Sequence, residues 1–366
     1  MLRILFLFNA VPDQALQGPY SDCLSWKTVR LIYRALLETG NKIYPLNLHS
    51  RRQLDKALAR MPTLDLAFVV AEGFLEEPCS LYDGSGAATV RMLLQEYGFA
   101  ASHSTAATMN VCRHKNLTYE VLAKNGLPVT RHILLDPSRE DTESQLAQAI
   151  AMIGFPLFVK PNGGGNSIGI DAESLVYDHY QLERKILQLR QTLGDLPILV
   201  EEYLPGQEFT VAALGQAPPY VLPPLAFISR KIRSTVIKRE TTEFPTCIFA
   251  DDERYPYLSY IARQVFFHLG ARTALRIDIR ANAAGKLCII DVNGTPSLNP
   301  ASSLMTMASS LGLNYNQMIY FVLHQSLLDY NILPNCQLQK LVAPVLDLLS
   351  PYQLPDKKDA NTLITA

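Results

Sequence analysis

The sequence has few of the features that mark membrane-spanning or nucleic-acid-binding proteins. No stretch reaches the ~18 consecutive apolar residues needed to cross a bilayer. No long run of Lys or Arg offers a surface to nucleic acid or anionic lipid, and the formal net charge is -1 over 366 residues. We therefore expect a cytoplasmic protein that binds neither nucleic acid nor membrane.

Informative cysteine patterns are also missing. The six cysteines are scattered and include no C-x-x-C pair, so neither a zinc knuckle nor a disulfide framework is indicated. We expect most of them to be small buried thiols. They are Cys23, Cys79, Cys112, Cys247, Cys288 and Cys336.

The apolar run from Met1 to Phe8 is short, and Asn9, Pro12 and Asp13 follow it without a small-residue cleavage pattern. A signal peptide is the alternative, but we expect a buried first strand. Because 48% of the residues are hydrophobic and 18% charged, the chain has enough apolar side chains for a sizeable core. Its length exceeds the ~100–200 residues typical of one domain, so two or three domains are expected.

The first hundred residues alternate apolar runs with helical patterns, which is typical of a parallel sheet covered by helices. The predicted strands are Ile4 to Phe8, Ile43 to Leu46 and Leu64 to Val70, and the predicted helices are Cys23 to Glu38 and Val90 to Tyr97. We expect an α/β N-terminal domain of βαβ units over residues 1–103.

Two further units and a tail follow. A central subdomain over 104–197 is expected from a helix at Lys115 to Lys124, a strand at Phe155 to Lys160 and a helix at Asp178 to Thr192. A C-terminal subdomain over 198–330 starts with the strand Ile198 to Glu202, becomes hairpin-like from Glu208 and contains the helix Arg254 to Leu269. The prolines and polar run of residues 331–366 predict a partly ordered tail.

Two apolar segments with acidic residues predict a β-hairpin at residues 276–293. If its turn is centred between Ala284 and Gly285, Asp278 lies directly opposite Asp291, because both are equally far from that centre. Opposed side chains are ~4.5–5.5 Å apart at Cβ, and like charges at that spacing repel unless a cation or a shared proton intervenes. A metal ion is the simplest partner.

The same register places Arg276 opposite Asn293 on the face of the two aspartates, since strand side chains alternate between faces. The other face is apolar and consists of Ile277, Ile279, Ile290 and Val292. Carboxylates and an Asn oxygen are hard ligands, which favours Mg²⁺ (or Mn²⁺) carried by a nucleotide phosphate. A solvated hairpin is the alternative, and a shift of one residue in register would remove the site.

A lysine at the end of a strand precedes a glycine loop in the segment Phe158 to Gly169. Glycines let backbone N–H groups approach phosphate oxygens, and Lys160 adds a positive charge. A plain flexible turn is the alternative, because no G-K-[ST] follows. The segment Ile198 to Val211 predicts a strand, a polar break and a second strand. Its backbone groups could bind an adenine edge and the Glu208 carboxylate could accept hydrogen bonds from ribose hydroxyls. An ordinary surface connection is the alternative.

In this order the segments resemble the ATP-grasp superfamily and, within it, the D-alanine–D-alanine ligase family. The resemblance covers roughly residues 3–330 and is most specific from Lys115 onward, through Lys160-Pro161, the glycine loop, Glu201 to Val211, and Arg276-x-Asp278 with Asp291-x-Asn293-Gly294-Thr295-Pro296. It implies an ATP-grasp fold, α/β with an α+β C-terminal half, and ATP between the central and C-terminal subdomains.

The resemblance also implies roles for individual residues. Lys115 and Lys160 would contact the α- and β-phosphates, and the loop from Asn162 to Ser167, which includes Gly164, Gly165 and Asn166, would close over the triphosphate. Adenine would be held by Glu201 together with the backbone of Glu202 and Tyr203, and ribose by Glu208. Lys238, with Lys231 as a competitor, would contact the γ-phosphate, Arg276 would stabilise the tetrahedral intermediate, and Ser302 is a further catalytic candidate. The metal ligands would be Asp278, Asp291 and Asn293.

The departures from the family pattern affect the substrate more than the chemistry. The family's H-G-x-x-G-E-D-G region appears as Ala71 to Pro78, with extra residues before Asp83. Four positions differ from the family's usual residue: Asp291 replaces Glu, Asn166 replaces Ser, Arg239 replaces Tyr and Ser297 replaces Gly. Asp22 is a candidate to replace the glutamate that holds the first substrate's amino group. We therefore expect D-alanine alone to be a poor substrate and a larger or more acidic one to be preferred.

The expected activity is an ATP- and Mg²⁺-dependent carboxylate–amine ligase that forms an amide or peptide bond through an acyl phosphate. A ligase of the same chemistry for another amino acid or peptide-like metabolite is the first alternative. An ATP-binding module without catalysis is the second. The resemblance also implies small-molecule amino-acid or peptide-like substrates and a homodimer.

Overall fold

The computed structural model describes residues 1–61, 63–138, 142–165, 167–227 and 245–353. Its strands are β1 (Arg3–Phe8), β2 (Ala10–Val11), β3 (Leu24–Ser25), β4 (Lys42–Asn47), β5 (Leu66–Val69), β6 (His132–Leu135), β7 (Leu157–Pro161), β8 (Leu175–Val176), β9 (Ile198–Glu202), β10 (Glu208–Gly215), β11 (Tyr220–Val221), β12 (Leu225–Phe227), β13 (Thr246–Cys247), β14 (Thr273–Ala281) and β15 (Leu287–Asn293).

The α-helices of the described residues are α1 (Trp26–Glu38), α2 (Arg51–Ala59), α3 (Gly86–Glu96), α4 (Ala106–Arg113), α5 (Lys115–Lys124), α6 (Thr142–Ile153), α7 (His179–Leu193), α8 (Tyr255–His268), α9 (Ser303–Ser310), α10 (Tyr315–Leu328) and α11 (Cys336–Leu349). Short 3-10 turns cover Asp13–Ala15, Gly18–Tyr20, Pro78–Leu81, Ala172–Ser174 and Ser350–Tyr352. Among these helices, none is both long and apolar enough to cross a membrane.

The N-terminal sheet is parallel, with β1 between β4 and β5. From Ile4 onward β1 is buried, so the prediction of a buried first strand is confirmed. Helix α1 begins later than predicted, at Trp26. Leu24 and Ser25 instead form β3 against β2, and Ser25 caps the helix by accepting a hydrogen bond from the Thr28 N–H at 3.1 Å.

The central sheet is antiparallel in the order β6-β9-β7-β8. Strand β9 pairs with β6 and β7, although the expected boundary at 197/198 assigns it to the C-terminal subdomain. Strand pairing depends on distant partners that the local sequence pattern does not show, so this assignment needed the structure. Helix α5 and β9 have the predicted bounds.

The C-terminal sheet has the order β13-β12-β10-β14-β15, with β11 also paired to β10. Helix α8 packs on one face through residues such as Leu258, Ile261 and Val265, and Ile277 and Ile289 of the sheet join the same core. The antiparallel pairing confirms the hairpin-like pattern predicted from Glu208 onward.

The expectation of a partly ordered tail is wrong for Cys336–Leu349, which forms α11 despite Pro344. Pro344 is exposed, whereas Leu338, Val342, Val345 and Leu349 of this helix are fully buried. An interior proline costs ~3 kcal/mol or more, and each buried aliphatic side chain contributes ~1.5–3 kcal/mol, so burial outweighs the lost backbone bond.

Helix α11 joins a core that the N-terminal sheet and the C-terminal helices share. Ile4 and Phe6 of β1, Phe321 of α10 and Leu338 of α11 lie in one cluster. The central sheet has a separate core of its own. The cysteines do not match the expectation that most are buried: all six are free thiols, and only Cys112 and Cys288 are buried.

Candidate active site

The β14–β15 hairpin has the predicted register at its four polar residues. Asp278 pairs with Asp291 and Arg276 with Asn293. The turn is centred on Ala284, half a residue from the predicted position, because Ala281 pairs with Leu287. A β-bulge then adds one residue to β15 before Asp291 and restores the predicted pairing.

The bulge moves Ile290 out of the apolar face to which it was predicted to belong. Ile289, not Ile290, is buried in the core beside Ile279. Ile290 lines a cavity instead, and its carbonyl oxygen accepts hydrogen bonds from the Tyr119 hydroxyl at 2.7 Å and Lys160 Nζ at 3.1 Å. A bulge places consecutive side chains on the same face, which simple alternation does not predict.

A cavity of about 540 Å³ opens beside this hairpin and receives residues from the central and C-terminal sheets and from N-terminal segments that include Asp22 and Glu72. It contains most of the predicted site residues: Lys115, Lys160, Gly164, Gly165, Ser167, Glu201, Glu202, Tyr203, Glu208, Arg276, Asp278, Asp291, Asn293 and Ser302. Lys238, its competitor Lys231, Arg239 and Asn166 lie outside the described residues.

Lys160, at the end of β7, is buried and forms an ion pair with Glu201 of β9 at 2.7 Å. The Tyr119 hydroxyl donates to the other Glu201 oxygen at 3.2 Å. Glu201 was predicted to hold adenine, and in this structure its carboxylate contacts the lysine predicted to bind phosphate. The pair therefore joins the two predicted nucleotide contacts in one cluster.

Lys115, the first residue of α5, contacts both the hairpin and the glycine loop. Its Nζ lies 3.3 Å from the Asp291 carboxylate and donates to the Gly164 carbonyl oxygen at 3.3 Å. Burial lowers the pKa of Lys115, although Asp291 opposes this. Burial alone would raise the pKa of Asp291, but Lys115, Lys160 and Arg276 hold it below its ordinary value. Asp291 is therefore a carboxylate at neutral pH.

Arg276 and Asp278 form a two-point ion pair on the same strand, with distances of 3.1 and 2.9 Å. Thr210 of β10 donates its hydroxyl to Asp278 at 2.6 Å. Asn293 donates its amide N–H to Asp291 at 3.1 Å. These contacts fix the four polar groups of the hairpin face toward the cavity.

The donor set of the hairpin fits a hard divalent cation. Two carboxylates from opposed positions and an amide are the ligand types that Mg²⁺ accepts, with further oxygens supplied by a bound substrate. No group of three or more His, Cys, Asp or Glu side chains is placed to hold a metal within the described ranges. Asp278, Asp291 and Asn293 therefore fit Mg²⁺ bound together with phosphate rather than a site complete by itself.

The predicted adenine and ribose contacts lie at the junction of the central and C-terminal sheets. The Glu202 N–H donates a hydrogen bond to the Arg131 carbonyl oxygen at 2.9 Å. The Tyr203 N–H makes a longer contact of 3.4 Å to the Pro156 carbonyl oxygen. Glu208, at the start of β10, lies 3.4 Å from Arg280. Of the two predicted backbone donors, Tyr203 is thus the more readily redirected to a ligand.

The glycine loop packs against the N-terminal domain. A Cβ on Gly163 would lie 2.3 Å from the Asp83 carbonyl oxygen, and one on Gly164, which has a φ of +80°, would lie 2.6 Å from that of Tyr82. Real Cβ atoms do not make such contacts, so glycine is required here by the close approach of two backbones. This contact was not predicted from the sequence.

Ser302, predicted as catalytic, caps helix α9. Its hydroxyl accepts a hydrogen bond from the Met305 N–H at 3.4 Å. This geometry places the hydroxyl and the first N–H groups of α9 at the cavity wall.

Sequence reasoning missed Arg113, the last residue of α4. Its guanidinium lies 3.4 Å from Asp22 and 3.5 Å from Glu72, and all three side chains line the cavity. Burial raises the pKa of Glu72, against the influence of Arg113. The nearest sequence signal was the position of Arg113 two residues before Lys115. Asp22, a candidate for amino-group recognition, is thus at the cavity but paired with an arginine.

Comparison with known proteins gives consistent results. The family model described as D-ala D-ala ligase C-terminus matches residues 121–324. The D-alanine–D-alanine ligase of Stutzerimonas stutzeri (strain A1501) is 28% identical over 278 residues, covering 75% of this chain and 82% of its own. That of Desulforudis audaxviator (strain MP104C) is 25% identical over 299 residues, covering 81% and 91%.

Two solved structures share the fold at low identity. The D-alanine–D-alanine ligase of Bacillus anthracis complexed with ATP has a TM-score of 0.67 and 20% identity, covering 90% of this chain and 99% of its own. The VanG D-Ala:D-Ser ligase of Enterococcus faecalis has a TM-score of 0.68 and 17% identity, covering 89% and 99%. The fold expected from the sequence is confirmed.

Proposed function

Because this chain belongs to the D-ala D-ala ligase C-terminus family, whose model matches more than half of its residues, we propose that it is an ATP-grasp ligase similar to D-alanine–D-alanine ligases. It uses ATP and Mg²⁺ to join a carboxylate to an amine. The observation that carries this proposal is the cavity in which Lys115, Lys160, Arg276, Asp278 and Asp291 converge.

The proposed reaction has two steps. A substrate carboxylate oxygen attacks the γ-phosphorus of ATP, the bond to the β-phosphate oxygen breaks, and ADP and an acyl phosphate result. The nitrogen of an amine then attacks the acyl carbon, phosphate leaves with the electrons of the C–O bond, and the nitrogen loses a proton to water. The products are an amide, ADP and phosphate.

The residues on the cavity wall contribute mainly charge and position. Lys115 and Lys160 supply fixed positive charge to the phosphates, and Arg276 stabilises the oxyanion of the tetrahedral intermediate. Asp278, Asp291 and Asn293 would hold Mg²⁺, which when bound neutralises phosphate charge. Adenosine would be contacted by Glu201, Glu202, Tyr203 and Glu208. The glycine loop would contact the triphosphate, and Lys238 would contact the γ-phosphate. Ser302 would orient substrate from the start of α9.

The substrate region favours a second candidate within the same chemistry, a ligase for another amino acid or a peptide-like acid. Asp22, Glu72 and Arg113 form a charged end of the cavity. These three residues are charged and do not provide an apolar wall suited to a methyl side chain. We propose that D-alanine alone is a poor substrate, and the preference for a larger or more acidic one, drawn from Arg239, stays a prediction.

Amine-dependent phosphate release tests the proposal. Purified protein with MgATP is supplied with single D- and L-amino acids, pairs of them and dipeptides, and phosphate and ligated product are both measured. At least one combination is expected to give product with one phosphate per amide bond. Nucleotide binding without phosphate release from any combination would favour a non-catalytic module. Efficient D-alanyl-D-alanine formation, at a kcat/KM of ~10⁴ M⁻¹s⁻¹ or above, would contradict the substrate prediction.

The homodimer and the cytoplasmic location that the sequence resemblance implies are part of the proposal. Sedimentation of the purified protein tests the first. Fractionation of the source cells tests the second.

A further inference from the structure

Arg113 is a buried cation at the cavity wall that the proposed reaction has not yet used. It ends α4, and one residue separates it from Lys115 at the start of α5. Its side chain is 7% exposed, yet it lines the cavity. The α4–α5 junction therefore directs two positive charges to the same cavity.

The contacts of Arg113 are longer than those of Arg276 and Lys160 and about as long as those of Lys115. Among the described residues, oxygens of Asp22, Glu72 and Leu81 lie 3.4, 3.5 and 3.4 Å from its guanidinium. Arg276 and Lys160 have carboxylate oxygens at 2.9 and 2.7 Å, and Lys115 has one at 3.3 Å. Within the described part of the chain, one oxygen of Glu72 is buried without a hydrogen bond. A guanidinium that is held at distance by its neighbours keeps donors available for a closer acceptor.

The glycine loop leaves room for this guanidinium. A Cβ on Gly165 would lie 3.0 Å from Arg113 Nη1 and 2.6 Å from the Asp22 carboxylate, so a larger residue there would push these two side-chain ends aside. The neighbouring Gly164 carbonyl accepts from Lys115. Lys115 thus contacts the loop expected to cover the triphosphate, and the Arg113 guanidinium lies beside the next residue of that loop.

We propose that Arg113 is a further catalytic residue, which binds the oxygens of the phosphoryl group as it passes from ADP to the substrate carboxylate. This inference rests on the proposed function. As the bond from the γ-phosphorus to the β-phosphate oxygen breaks and the bond to the carboxylate oxygen forms, charge spreads over the transferring oxygens. A bidentate guanidinium under the loop stabilises that charge.

The surroundings keep Arg113 charged. Although burial acts against it, Glu72, Asp22 and Asp291 raise the pKa of Arg113. The alternative role is structural: Arg113 only neutralises the partly buried carboxylates of Asp22 and Glu72.

The test compares nucleotide affinities of full-length Arg113→Met and wild type by calorimetry, with MgADP and with a non-hydrolysable MgATP analogue. We expect the variant to lose about 10–100-fold in affinity for the ATP analogue, the range of one or two charge-assisted hydrogen bonds, with MgADP affinity within about twofold of wild type. The rate of phosphate release should fall at least as much. Arg113→Gln repeats the measurement if the methionine variant does not fold, and Arg113→Lys should restore part of the affinity.

Glu72→Gln distinguishes the two roles, because it removes the buried charge that a structural Arg113 would neutralise. If Arg113 binds phosphate, the loss caused by Arg113→Met persists in the Glu72→Gln background. Recovery in the double variant, an equal loss for ADP and the ATP analogue, or no loss at all would each overturn the proposal. Should wild type bind nucleotide but release no phosphate with any amino acid, the ligase function fails, while the affinity comparison still decides whether Arg113 contacts the γ-phosphate.

Discussion

The two ends of the cavity hold partly buried carboxylates whose pKa values move in opposite directions. Asp291 has Lys115 at 3.3 Å, and the cations around it keep its pKa low despite burial. Glu72 has Arg113 at 3.5 Å but also Asp22 nearby, and burial raises its pKa. Three cations surround Asp291 at the first end, which we call the closely paired end. Asp22 and Glu72 share Arg113 at the second end, which we call the loosely paired end. The comparison indicates that the proposed nucleotide end is more completely charge-balanced in the free protein than the proposed substrate end.

Loss of the closely paired end should have the largest effect. Asp291→Ala removes a proposed metal ligand and leaves Lys115 without its carboxylate, so turnover should fall by at least ~10²–10³-fold. Phosphate release measured beside thermal unfolding separates catalysis from folding. Asp291→Glu adds one methylene and restores the length usual in the family. A rate within about tenfold of wild type, on the order of 1.4 kcal/mol in barrier, would show that either length serves.

Nucleotide affinity should respond next. Lys160→Met removes a positive charge and leaves Glu201 buried without its cation, so MgADP should bind ~10–100-fold more weakly at every pH. Lys185 is the matched control: it is a buried lysine of α7 whose Nζ lies 2.8 Å from Asp171, outside the cavity. Lys185→Met should leave the affinity unchanged. A loss for Lys160→Met that vanishes at high pH would assign the lysine a proton-transfer role instead.

At the loosely paired end, Glu72→Gln should alter the use of amino-acid substrates and spare the nucleotide. The KM of the preferred amino acid is expected to change by about tenfold, the effect of one polar contact, with MgADP affinity unchanged. Steady-state kinetics on the best substrate pair from the panel measures this. An unchanged KM, or an equal effect on both ligands, would mean that the two ends are not independent.

The smallest expected effect is on the pH dependence of the free energy of unfolding, and the two ends contribute to it with opposite signs. The folded-state pKa of Glu72 lies above its ordinary 4.5, so the stability it contributes is present below that pH and is lost as pH rises through the folded pKa. Asp291, with a folded pKa below its ordinary 3.8, contributes stability above that pH, which is lost as pH falls. Urea unfolding from pH 3 to 8 should show a shallower decline on the alkaline side for Glu72→Gln. Identical slopes would contradict the raised pKa of Glu72.

The nucleotide end was also the more predictable from sequence. Lys160, Asp278 and Asp291 lie in motifs whose local order fixes their place, and a hairpin brings its own two strands together. The predicted register survived an error in the turn because the bulge before Asp291 compensated for it. Ile290, one residue away, was placed on the wrong face for the same reason.

The substrate end could not be predicted in the same way, because its residues come from three separate segments. Asp22, Glu72 and Arg113 meet only in the folded protein, and no local periodicity shows their contacts. The prediction for helix α11 was wrong for a different reason. Pro344 argued against a helix, and the buried partners of Val342 that outweigh it lie on distant elements.

The core shared by β1 and α11 has a consequence for how the protein is made. Ile4 and Leu338 lie in one cluster, although they are 334 positions apart in the sequence, and synthesis proceeds at ~5–20 residues per second. The N-terminal sheet must therefore leave the ribosome with an apolar face uncovered and wait tens of seconds for the helix that covers it. During that interval the nascent chain exposes a surface that chaperones recognise, and its central subdomain, which has a core of its own, is free to fold first.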